Sequence, residues 1–147
     1  PPIEVFPMRS FLSTSLLLAT LGFTACETVD AERQQLNGAL LDARELAAEV
    51  HVWASQTQSS VSQNAVETIE SYQSRAEQIA DTIEDVSTEA RTGTDLAGVQ
   101  QALRELVEFD TSSLQSASQE GRASIVSQFG GLASNLHTAV SRVRLPG

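Results

Sequence analysis

The chain has 147 residues and a mass of 15.7 kDa, the size of one ordinary domain. Nineteen acidic residues stand against nine basic ones, all arginine, for a net charge of −10 and a pI near 4.5. With 41% hydrophobic residues and a single cysteine, the composition excludes a polytopic membrane protein, a collagen-like repeat and a disulfide scaffold. A basic nucleic-acid binder is not expected, because attraction to phosphates needs a positive surface that this chain lacks.

The most informative stretch runs from Met8 to Cys26. Arg9 follows the methionine, an apolar run continues through Leu16-Leu17-Leu18, and small residues precede the cysteine. The run is too short for a comfortable membrane span, which takes about 20 residues. Its three-part layout is that of a secretory signal peptide. Residues 1–7 (PPIEVFP) have no such character and are read as an upstream extension outside the fold.

Phe23-Thr24-Ala25-Cys26 resembles the lipobox of bacterial lipoprotein precursors, in which a small residue precedes a cysteine that is lipidated and becomes the first mature residue. Thr24 and Ala25 fit that pattern. Phe23 departs from it, since the family usually has an aliphatic residue there. The resemblance covers residues 8–26 only. It implies a signal peptide over 8–25, lipidation at Cys26, and a mature domain over 26–147 held to the membrane by its lipid. Glu27 follows the cysteine; in enterobacterial lipoproteins an aspartate there is associated with inner-membrane retention. Glutamate therefore implies the outer membrane, facing the periplasm.

The mature chain reads as all-α. From Ala39 to Thr92 there is neither glycine nor proline, and good helix formers dominate. Leu36, Leu40, Ala43, Ala47, Val50 and Ala54 recur four and three residues apart, a helical stripe. A second stripe follows through Ala65, Ile69, Tyr72, Ala76, Ile79, Ile83, Val86 and Ala90. Between them lies a hydroxyl- and glutamine-rich stretch over 55–64, where Asn64 and Glu67 have capping-box spacing. Two outcomes fit: a turn near Ser59 to Gln63, or one continuous rod that must oligomerise to bury its stripe.

Gly93 is expected to end the second helix, and Thr94 or Asp95 to cap the third. That third helix carries Leu96, Val99, Leu103, Leu106 and Val107, then breaks over Asp110 to Ser113. Gly121 is read as an interruption. The last stripe is Ile125, Phe129, Leu132, Leu136, Val140 and Val143, with Gly130 and Gly131 inside it as either a close-approach point or a kink. The sum is an elongated three- or four-helix bundle whose first mature residues form a short tether.

No catalytic or metal constellation is legible. His51 and His137 are far apart in sequence, and neither belongs to a Glu-x-x-His or His-Glu-x-x-His pattern. There is no Gly-x-Ser-x-Gly, and without lysine no Ser-x-x-Lys or P-loop. No cofactor and no metal are expected. Glu70, Glu77, Asp81, Glu84, Asp85 and Glu89 read as a solvated face. Trp53 falls one residue off the first stripe, either at a helix boundary or as a ligand or partner contact.

The expected function is therefore a non-enzymatic cell-envelope lipoprotein, a helical spacer or docking body with an envelope protein as its candidate partner. The murein lipoprotein is a partial likeness, being small, helical and lipid-anchored. Its C-terminal lysine, which is joined to peptidoglycan, has no counterpart here. The alternative is a periplasmic module binding a small apolar ligand near Trp53 and Phe109 or Phe129.

Overall fold

A computed structural model describes residues 24–144 apart from 58 and 63, with side chains from Thr28 onward. The extension over 1–7, residues 8–23 of the expected signal peptide, and Phe23 with them, lie outside the described residues. Thr24, Ala25 and Cys26 are described in backbone only. Among the described residues there are five helices and no strand. They are α1 (Thr24–Thr57), α2 (Ala65–Asp85), α3 (Thr88–Arg91), α4 (Ala97–Glu108) and α5 (Gln119–Arg142).

The chain folds back between α1 and α2, so the rod is not formed. Ser60 N–H bonds the Thr57 carbonyl at 3.0 Å, and Val61 turns inward to 3% exposure against Ala54, Ala65 and Val126. The polar stretch therefore hides one apolar plug that closes this end of the bundle. α1 packs on α5 and α2, α4 packs on α5 and α2, and the single-turn α3 rests on α1. Four long helices thus ring a common core.

The first stripe is buried along its whole length, with Leu46 added to it. In the second stripe only Tyr72 stays half-exposed. The third, Leu96, Val99, Leu103 and Leu106, is buried as read, with Val107 at its edge.

Five local expectations are corrected. The second helix does not run to Gly93. It ends at Asp85, Val86 takes an extended conformation (φ −73°, ψ 134°), and Ser87 caps α3 by accepting from the Ala90 N–H at 3.2 Å. The break is held from outside, because the Glu32 carboxylate on α1 accepts from both the Ser87 N–H and its hydroxyl. Gly93 follows α3 instead, at φ 83°.

The Asn64–Glu67 capping box does not form either. Asn64 already has near-helical angles (φ −79°, ψ 2°), so its side chain caps nothing while its carbonyl accepts from Thr68. Gly121 does not interrupt α5; it lies in the first turn, and its N–H donates to the Ser118 hydroxyl. The expected tether is absent from the backbone, which is helical from Thr24 onward, and Val29 already packs against the core.

The α5 stripe is rotated from its expected phase. Val126, Phe129, Gly130, Ala133, Leu136 and Val140 are buried, while Ile125 and Leu132 are pushed to the edge. The buried face includes Gly130, where a Cβ would stand 2.9 Å from the Ala54 Cβ. This glycine is a close-approach point rather than a kink. Val143 lies just past the helix as its C-cap.

Gln73 ties α2 to α4. Its side-chain NH2 lies 3.0, 3.2 and 2.8 Å from the carbonyls of Leu106, Val107 and Phe109 and shares its two N–H donors among them, serving the C-terminal end of α4, which no basic residue serves. Gln73→Ala should lower stability by about 1–3 kcal/mol, because partly buried carbonyls lose their donor. Gln73→Glu should be worse at neutral pH, since a carboxylate cannot donate and repels the negative helix end. Part of that loss should return on acidification, when the side chain regains a proton. Urea melts of the three proteins at pH 7 and pH 4 check the order.

Candidate functional site

Sequence reasoning singled out Trp53, and the structure places it at one end of an aromatic series. The Trp53 and Tyr72 rings meet edge-on with centroids 5.8 Å apart. Tyr72 stacks on Phe129 at 6.5 Å, and Phe129 meets Phe109 at 5.2 Å. Three helices and the α4–α5 connection thereby converge on Phe129, which is 0% exposed. Such pairs add to stability beyond their buried area. Phe109 and Phe129, expected as pocket walls, are packing partners of each other.

The outer end of the series borders a groove. Trp53 and Tyr72, with Ala48, Glu49, Val52 and Gln56, line a broad groove of about 480 Å³ between α1 and α2. Beside it Arg75 donates to the Glu49 carboxylate across the same two helices. That bond, outweighing partial burial, holds the Arg75 guanidinium above its ordinary pKa. Burial, and then the Glu49 charge, push the Tyr72 hydroxyl up, while Arg75 pulls it down. Val52 is 50% exposed at the rim, one of two large apolar side chains left in solvent among the described residues; the other is Leu41 at 54%.

The six acidic residues of the expected solvated face are all exposed. Among the described residues the ion pairs are Arg75–Glu49 and the local Arg33–Asp30 pair. Asp110 accepts from the Ser112 N–H at 2.9 Å, which lowers its carboxyl below the ordinary value.

One juxtaposition was not legible in the sequence. His51 on α1 and His137 on α5 line a single groove of about 330 Å³, with Ala47, Ala48, Val52 and Ser134. Both histidines are exposed. No local pattern signals this, since the pairing depends on how α1 and α5 are registered. Among the described residues no helix is long and apolar enough to cross a membrane. Comparison with protein-family models, with curated proteins and with solved structures finds no match to this chain.

Tyr72 gives the bundle an alkaline limit. Its folded pKa lies above its unfolded value, so its contribution is whole below the unfolded pKa and fades as pH rises through the folded one. Stability should therefore fall above pH about 10, where tyrosines ordinarily ionise. Tyr72→Phe should flatten that fall, as denaturant midpoints measured from pH 8 to 11 would report.

Proposed function

We propose that this chain is a non-enzymatic lipoprotein of the bacterial cell envelope, anchored through a lipid on Cys26 and acting as a helical spacer and docking body. The observation that carries the reading is the position of the lone cysteine, which closes the only short apolar run behind Arg9 and opens directly into α1. Cleavage before Cys26 would leave the lipidated cysteine at the head of a helix that runs on to Thr57, setting the bundle firmly on the membrane surface. The far end would then stand about 50 Å away, at 1.5 Å per residue. One acyl chain gives only marginal binding, so the expected modification carries more than one. On this reading the address is the outer membrane, facing the periplasm, by the likeness at Glu27.

Docking is the role we assign to the exposed outer surface. Trp53, half-buried beside the groove shared with Tyr72 and Val52, is the contact we assign to an envelope protein partner. Aromatic anchors of this type supply large area at low conformational cost. The small-ligand alternative has less support, because Phe129 is fully buried in the core and Phe109 packs against its ring.

Growth of an expressing bacterium with labelled palmitate should give a labelled band for the complete chain. The label should disappear in Cys26→Ser, and blocking the lipoprotein signal peptidase should accumulate a longer precursor. An unlabelled mature protein that begins elsewhere would contradict the proposal.

A further inference from the structure

His51 and His137 are the only histidines in the chain, yet both border one groove at the seam of α1 and α5. The close contact of Gly130 with Ala54 fixes the antiparallel register of these helices. Counting from it, His137 lies level with Ala47, one helical turn from His51. The offset along the axis is thus roughly 6 Å, and packed helix axes stand about 8–10 Å apart. Both imidazoles border this groove from such positions, so turning their side chains toward each other would let them share one ion. Each ring nitrogen would stand about 2 Å from the metal.

The surroundings decide the class of ion. Imidazole suits copper, nickel and zinc, whereas magnesium and calcium require oxygen ligands. The groove supplies Ala47, Ala48 and Val52 and a single hydroxyl, Ser134, but no carboxylate. Among the described residues no group of three or more His, Cys, Asp or Glu side chains is placed to hold a metal. The remaining positions would therefore fall to water, leaving an open and exchangeable site. The net charge of −10 concentrates cations around the molecule and favours their capture.

We infer that His51 and His137 form a two-imidazole site for a divalent transition metal, bridging α1 to α5. The ion joins two helices that are distant in sequence, so it stabilises the folded state by mass action. A bridge between His51 and His137 needs only the packing of α1 on α5, whether or not Cys26 is lipidated.

The test is thermal unfolding of the complete chain in non-ionic detergent, at mildly alkaline pH so that protons do not compete for the ligands. At roughly ten- to a hundredfold excess over the dissociation constant, Cu²⁺, Ni²⁺ and Zn²⁺ should raise the midpoint by about 4–10 °C. The apparent affinity should be highest for Cu²⁺, in keeping with the Irving–Williams order, and Mg²⁺ and Ca²⁺ should produce no shift. His51→Ala and His137→Ala should each abolish the shift without changing the metal-free midpoint by more than a degree or two, because both side chains are exposed. The paramagnetic resonance spectrum of bound Cu²⁺ should show two nitrogen ligands, and lose that pattern in either variant. No shift, an equal shift with Mg²⁺, or a shift that survives in either histidine variant would overturn the site.

Discussion

Gly130 has no side chain, and that absence sets how closely α5 can lie on α1. A Cβ would come within 2.9 Å of the Ala54 Cβ, which is fixed to its own backbone and has no rotamer to swing away. The seam turns the neighbouring Phe129 into the middle of the bundle, where Tyr72 from α2 and Phe109 from the end of α4 pack on its ring. Gln73, one residue beyond Tyr72, then takes the carbonyls at the end of α4. The aromatic series and the Gln73 contacts with α4 thus continue outward from the seam at this one small residue.

The ends of the bundle are closed by different means. At one end Val61 turns in among Ala54, Ala65 and Val126, so the turn is held by burial rather than by a side-chain cap. At the other, the Glu32 carboxylate receives Ser87 and holds the step between α2 and α3. Among the described residues no polar or charged side chain is fully buried. The core is built from Leu, Ile, Val and Ala with one phenylalanine, and the acidic side chains lie outside it. Such a body suits a surface that must stay soluble at high local density, since like-charged molecules repel one another.

The legible parts of this fold were those with local causes. The stripe from Leu36 to Ala54 is buried residue for residue, because a four-three repeat leaves a helix only one face to hide. The features that were missed have partners distant in the chain. Glu32 acts on Ser87, Ala54 meets α5 at Gly130, and Gln73 reaches Phe109. The Asn64 box had the right spacing but the wrong backbone angles, which spacing does not encode. At the candidate sites the same division holds. The cysteine behind an apolar run is a pattern within one segment, whereas the groove shared by His51 and His137 exists only through the register of two helices.

The most direct measurement of the central dependence compares alanine at two adjacent glycines. A Cβ at Gly131 would meet nothing within 4 Å, so Gly131→Ala should stabilise by about 0.5–1 kcal/mol through the lost backbone freedom of the unfolded chain. Gly130→Ala has the same helix propensity gain but must force the seam apart, with a net loss of about 1–3 kcal/mol. Adding Ala54→Gly to Gly130→Ala should recover part of that loss, a coupling measured by denaturant melts of the parent, Gly130→Ala, Ala54→Gly and the double variant. Opposite signs at the two glycines, with coupling to residue 54, are what the seam requires; equal stabilisation by both alanines would show that α1 and α5 are not held by close approach at Gly130.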